Sequence, residues 1–156
     1  MNGLSIDTVH PTEQILSYNL FMGLDYGVKR IGISIGNKLL REAKPCPSVS
    51  GSAAQQWTQI AERIRQWEPE ALVVGVPFHP DGAEHENTHK ARRFMRQLEG
   101  RFKLPVFEVD ERYSTTEAIG SQYPGFASQS KKPAKVDIDS ESACIILNQF
   151  FRTLKP

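Results

Sequence analysis

Carboxylates fall at three places where the chain changes direction: Asp25, the pair Asp110-Glu111, and Asp139. Asp25 closes the apolar run Phe21 to Leu24 and is followed by Tyr26-Gly27-Val28-Lys29-Arg30 before a second alternating run to Gly36. That is the pattern of a strand, a hairpin and a strand, with one acid at the rim of a sheet. Asp110 and Glu111 follow the run from Pro105 to Val109, and Asp139 stands just before the helical stripe Ala143, Ile146, Leu147, Phe150 and Leu154. In open α/β sheets ligands gather outside the carboxyl ends of strands, so Asp25 and the Asp110-Glu111 pair could converge there, with Asp139 added from a helix laid across the sheet. Crowded carboxylates repel one another, and a set of three or four is tolerable mainly around a hard cation such as Mg²⁺. Such a set does phosphoryl transfer, the metal orienting a water and stabilising charge at phosphorus.

Each acid also has an ordinary structural role. Asp137, Asp139 and Ser140 all qualify as helix caps, a commoner duty for an Asp at a helix start than ligation. Asp110-Glu111-Arg112 reads equally as a turn with a local ion pair. Asp25 is set apart by the hairpin glycine and the basic pair Lys29-Arg30 that frame it.

The elements that would position these acids are legible from periodicity. Strands are expected at about Phe21 to Leu24, Arg30 to Gly36 and Leu39 to Lys44, the third broken by Pro45 and Pro47. Trp57, Ile60, Ala61, Ile64 and Trp67 make an amphipathic helix over Ala53 to Trp67, and Ala71 to Val76 is a continuous apolar run suited to a central strand buried on both faces. Ala91, Phe94, Leu98 and Phe102 mark a second helix closed by Gly100. Pro105 to Val109 is a strand, and Ser114-Thr115-Thr116-Glu117 resembles a helix start. Gly120 to Lys135 reads as an exposed basic loop before the last helix. The sum is an α/β chain with a mixed five-stranded sheet, a three-stranded antiparallel meander plus two parallel strands, flanked by helices.

With 156 residues, 24% charged and 39% hydrophobic, one globular domain is expected, and no apolar run is long enough to span a bilayer. Residues 1–20 read as an N-terminal extension without the features of a secretory signal, and 21–156 as the domain, which points to the cytoplasm. Cys46 and Cys144 are too few and too isolated for a disulfide framework or a zinc site. A net charge of +1 does not announce a nucleic-acid binder, so any such role rests on local basic patches.

Four motifs in order, Leu24-Asp25-Tyr26-Gly27-Val28-Lys29-Arg30-Ile31-Gly32, Val73-Val74-Gly75-Val76-Pro77 with Asp81-Gly82, Asp110-Glu111-Arg112-Tyr113-Ser114-Thr115-Thr116-Glu117-Ala118, and Asp139-Ser140-Glu141-Ser142-Ala143 with Ile146-Leu147, resemble the YqgF/RuvX family over about Phe21 to Phe151. The resemblance implies an RNase H-like fold related to RuvC-type resolvases and a nuclease that matures the 5′ end of pre-16S ribosomal RNA. It carries Asp25 over as the first-strand metal ligand and Asp139 as the final-helix ligand. RNase H-like nucleases commonly place a further acid at the end of the fourth strand, but here that strand ends Gly75-Val76-Pro77. The next strand must supply it, through Glu111 for its longer reach or through its rival Asp110. Phe78-His79-Pro80 departs from the asparagine-containing loop more typical of the family.

Lys29 and Arg30 flank Asp25 and are placed to hold a scissile backbone, with Arg112 beside the middle acids. Lys90, Arg92, Arg93, Arg96, Arg101 and Lys103 crowd one helix against Glu99 alone, an arrangement that serves phosphate contact, Arg93 and Arg96 above all, or merely a solvated face. Lys131 and Lys132 on the basic loop could close over a strand. His85 and His89 stand one helical turn apart as zinc ligands do, but they lie beside an exposed loop with no cysteine. Trp57, Trp67, Phe94 and Phe102 read as core.

The expected activity is therefore Mg²⁺- or Mn²⁺-dependent phosphodiester cleavage by Asp25, Glu111 and Asp139. Structured RNA, with pre-ribosomal particles as partners, is the favoured substrate and branched DNA the alternative. A non-cutting RNase H-like binding module is the competing class, and a sugar-kinase or actin-like ATPase would need a second domain for which this chain has no room. Monomer and homodimer are both open.

Overall fold

The computed structural model describes residues 17–111 and 137–154. The expected extension up to residue 16, the helix start at Ser114 and the basic loop fall outside them, as do Arg112, Lys131 and Lys132. In chain order the elements are β1 (Leu20–Asp25), β2 (Arg30–Asn37), β3 (Glu42–Ser50), α1 (Ala53–Trp67), β4 (Ala71–Val76), α2 (Glu86–Phe102), β5 (Val106–Asp110) and α3 (Ile138–Thr153).

The strands form one sheet ordered β3-β2-β1-β4-β5. β1 to β3 are an antiparallel meander, and β4 and β5 add in parallel to β1. Strand alternation sorts the apolar residues to two faces. Met22, Leu24, Ile33, Leu72 and Val74 meet Ile60 of α1 and Phe94 and Leu98 of α2. Phe21, Val73 and Val109 meet Ile146, Leu147, Phe150 and Phe151 of α3. Every residue of β4 is buried, as its unbroken apolar run requires when helices cover both faces.

α3 lies unusually close to the sheet because β1 and β2 present glycine beneath it. A Cβ built on Gly32 would overlap the Asp139 carbonyl and stand 2.9 Å from Ser140 N, and one on Gly23 would stand 2.9 Å from Ala143 O. Ser140 fastens the contact: its Oγ accepts from Ile33 N at 3.1 Å and donates to Cys46 O at 2.5 Å. At the far end, Arg41 donates to the Phe151 and Leu154 carbonyls at 2.8 and 2.9 Å, satisfying the last turn of α3 with a cation at its negative end.

Several boundaries differ from the sequence reading for identifiable reasons. β3 starts later than Leu39 and runs through Pro45 and Pro47, which an edge strand tolerates because only one side of it pairs. Leu39 and Leu40 sit instead in the exposed turn before it. α2 begins at Glu86, where His85 and Thr88 form a reciprocal capping box, and passes through Gly100 to end at Lys103 in the left-handed conformation. Residues 17–19, expected before the ordered domain, dock onto it: Tyr18 packs edge-on against Phe21, and the Asn19 and Leu20 amides donate to Glu70 Oε1. Trp57, Phe94 and Phe102 pack as expected, while Trp67 stays 39% exposed at the end of α1.

Candidate active site

Asp25 ends β1 opposite Gly32 of β2, and Leu24 aligns with Val74, so Asp25 reaches the level of Gly75. By alternation Phe21, Gly23 and Asp25 face α3. The same parity rule separates the two acids after β5. Phe107 and Val109 belong to the α3 side, whereas Val106 packs on the other and Glu108 meets Arg92 of α2 at 3.1 Å. Glu111 continues the first set and Asp110 the second. Gln149 of α3 donates to the Asp110 carbonyl at 3.2 Å, tying the end of β5 to the helix that also carries Asp139.

Glu111 folds back over β4, where a side chain on residue 75 would exclude it. A Cβ there would stand 2.7 Å from Glu111 Cδ and overlap both Glu111 Oε2 and Ile146 Cδ1. The glycine at the end of β4 is thus the counterpart of the carboxylate missing from that strand: it leaves the space that Glu111 fills from the next one. Asp25 and Glu111 share a hydrogen bond between their carboxyl groups. Burial pushes Asp25 up to about 6, Glu111 holding it down as hydrogen-bond donor and the Asp139 charge pushing it further up. Burial, then the charge of Asp25, pushes Glu111 up to about 8. At neutral pH the pair therefore holds one proton, shared between the two carboxyl groups.

Asp139 occupies the first turn of α3, two residues past the cap and not the cap itself. That duty falls to Asp137, which accepts from Ser140 N at 3.2 Å and from Ser48 N at 2.9 Å. Released from capping, Asp139 points its Oδ2 inward as a buried oxygen without a hydrogen bond. Arg30 Nε stands 3.0 Å from it, a charge contact whose N–H is not aimed along the donor direction.

The donor set is hard oxygen, two carboxylates are already in contact, and a third offers an unsatisfied buried lone pair, all of which fits a hard divalent cation. Among the described residues, no three acid, histidine or cysteine groups are gathered tightly enough to close around one ion. The fit is thus to a site assembled from Asp25 and Glu111 with Asp139 alongside. A cavity of about 360 Å³ opens beside it on the Glu111 side, lined by Tyr26, Gly27, Gly75, Pro77, Lys90 and Glu111.

The basic residues divide. Lys29 is exposed on the hairpin, and Arg30 is turned to Asp139. Arg93 and Arg96 are exposed on α2 without a carboxylate partner among the described residues. Arg92 is consumed structurally, bonded to Glu84 at 2.7 Å and Glu108 at 3.1 Å and lying over Phe78, partners that a count of acids within the helix could not reveal. His85 caps α2 through Nδ1, and the His79 ring packs against it tilted by 59° with centroids 4.6 Å apart, so these rings have packing roles. Sequence reasoning named Lys90 only among the cations of its helix and left Tyr26 and Gly75 out of the site. The signal for Tyr26 was its place next to Asp25, and for Lys90 its place one turn before the buried Phe94.

Compared with known proteins, residues 19–153 match the model of the family described as RuvX, Holliday junction resolvase. A protein of Albidiferax ferrireducens is 50% identical over 145 residues, covering 93% of this chain and 85% of its own length. One from Polaromonas sp. is 49% identical over 134 residues, covering 86% of this chain and 88% of its own. Both are described as "Putative pre-16S rRNA nuclease". Among solved structures, Thermus thermophilus RuvC aligns with a TM-score of 0.56 at 14% identity, over 86% of this chain and 94% of its own. Fowlpox virus resolvase, solved with Holliday junction DNA, aligns at 0.52 and 12% identity, over 88% and 99%. These likenesses show a shared RNase H-like fold.

Proposed function

The chain belongs to the RuvX family, and we propose that it is a divalent-metal-dependent endonuclease of the cytoplasm that processes the 5′ end of pre-16S ribosomal RNA, with residues 21–156 as its nuclease domain. The observation that carries the reading is the desolvated Asp25–Glu111 pair with the unsatisfied Asp139 oxygen alongside, at the carboxyl ends of β1 and β5. Asp25, Glu111 and Asp139 would hold Mg²⁺ or Mn²⁺. The ion supplies an activated water and charge stabilisation at phosphorus when bound.

The chain's own residues do the rest. Asp25 and Glu111 give up their shared proton on loading, since carboxylates ligate in the ionised form. Lys29 and Arg30 set a phosphate against the rim of β1, and Arg30 exchanges its Asp139 contact for the substrate's charge. Lys90 on the wall of the site cavity, with Arg93 and Arg96 further along α2, extends the phosphate track. The similarity at 50% identity to a protein described as a pre-16S rRNA nuclease supports the RNA substrate, and the family's description keeps branched DNA as the rival.

The test is cleavage of a 5′-extended 16S precursor fragment and of a four-way DNA junction, each with Mg²⁺, Mn²⁺ or chelator. Metal-dependent cutting of the RNA is expected, lost in Asp25→Asn while the melting transition is retained. Wild-type rates in Asp25→Asn would sink the assignment, and cutting of the junction alone would move the substrate to DNA.

A further inference from the structure

On the sheet face away from α3, a second cavity of about 380 Å³ lies between the β1–β2 hairpin, α1 and α2. It shares Tyr26, Val28 and Lys90 as walls with the cavity that Glu111 lines, so the α1–α2 cleft adjoins the acidic site. We propose that this cleft is a nucleotide subsite, taking one unpaired nucleotide next to the scissile phosphate, its base against Tyr26 and Trp57 and its phosphate against Lys90 and Arg93. The proposal rests on the nuclease reading and specifies what that site accepts.

The walls have the chemistry of a nucleotide. Tyr26 and Trp57 both pack tilted by 30° on the buried Phe94 ring, with centroids 4.6 and 5.5 Å away, and both stay partly exposed; the Arg101 guanidinium lies over Trp57 at 4.1 Å, and a base entering the cleft takes its place there. Aromatic platforms bind unstacked bases without demanding a particular one. At the mouth, Arg93 is exposed and has no carboxylate partner among the described residues. Among the described residues Lys90 has only a surface contact of 3.4 Å to Glu86, one helical turn away, which costs little to exchange for a phosphate. Cations at the rim and aromatics below match a phosphate on a sugar and a base, in that order.

The cleft is also preformed. Gln56 donates from Nε2 to the Val28 and Gly51 carbonyls, both at 3.1 Å, pinning the hairpin turn to the start of α1 and so fixing Tyr26 relative to Trp57. Its volume lies within the range of about 300–1,000 Å³ usual for small-ligand sites. A base inside a duplex cannot enter it, so the subsite selects a nucleotide that is single-stranded or swung out of its stack.

The chain has two tryptophans, which makes Trp57 a built-in reporter once Trp67→Phe removes the other. In that background, with Asp25→Asn added and chelator present, a nucleoside 5′-monophosphate is titrated against Trp57 emission, with inorganic phosphate and the bare nucleoside as separate arms. The expected result is a saturable change with the nucleotide, at least tenfold weaker for inorganic phosphate and at least tenfold weaker in Arg93→Ala. No saturable change, equal affinity for inorganic phosphate, or undiminished affinity in both Arg93→Ala and Lys90→Ala would overturn the subsite. Because this measures binding without cleavage, saturable nucleotide binding by a protein that cuts nothing would sink the nuclease reading and leave the subsite standing.

Discussion

The Glu111 carboxylate occupies the space a side chain on Gly75 would need, with a built Cβ only 2.7 Å from Glu111 Cδ. Gly75→Ala should therefore push Glu111 off Asp25. Overpacking of this kind costs about 1–3 kcal/mol of stability. Cleavage should fall on the order of 10- to 100-fold, as displaced catalytic groups do. Thermal melting and single-turnover cleavage check the two effects separately, and unchanged cleavage by a destabilised variant would show that Glu111 need not sit there.

Asp25 and Glu111 are acids raised by burial and by each other, to about 6 and about 8. Protons are then held more tightly by the folded state, so the pair's contribution is fully present below the unfolded values near 4 and is lost as pH rises through the folded ones. Each pKa unit corresponds to about 1.4 kcal/mol. Asp25→Asn should raise the melting temperature at pH 8 and change it little at pH 4, as differential scanning calorimetry would read. An equal shift at both values would show that the pair is not charged against itself.

Mg²⁺ bound at the pair would have to displace the proton that the two acids share at neutral pH. Isothermal titration in two buffers of different ionisation enthalpy should show proton release close to one per metal site at pH 7, shrinking above pH 8. Absence of release would mean the metal does not engage Glu111.

Asp137 and Asp139 are two residues apart with separate duties, and substitution distinguishes them. Asp137→Ala removes the acceptor for Ser140 N and Ser48 N and should cost about 1–2 kcal/mol. Asp139→Asn should leave stability nearly unchanged and abolish cleavage. The opposite pattern would return Asp139 to a purely structural role.

Arg30 contacts Asp139 at 3.0 Å in a mostly exposed position. If it transfers to a substrate phosphate, Arg30→Ala should lower the slope of log affinity against log salt by about 0.7–0.9. Filter binding across a salt series on the Asp25→Asn protein measures this, and an unchanged slope would leave Arg30 as a clamp on Asp139 alone.

Local chemistry was enough to place most elements. The alternating and continuous apolar runs, the stripes of α1 and α3, and Asp25 at a strand end follow from periods of two and 3.6 residues that any short window displays. The order of the motifs implied the family and its five-stranded sheet. The choice between Asp110 and Glu111 depended on which face of β5 α3 covers, a contact between segments far apart in the chain. Whether Asp139 capped its helix depended on a boundary two residues away, which periodicity does not resolve. Arg92 was neutralised by Glu84 and Glu108 from outside its helix, and β3 crossed two prolines because it lies at an edge. The sequence by itself determined which segments could form strands and helices, and which acids stood at their ends. Only the tertiary structure decided which acids meet, because register, face and the close approach over Gly32 and Gly75 are set by packing between segments rather than within them.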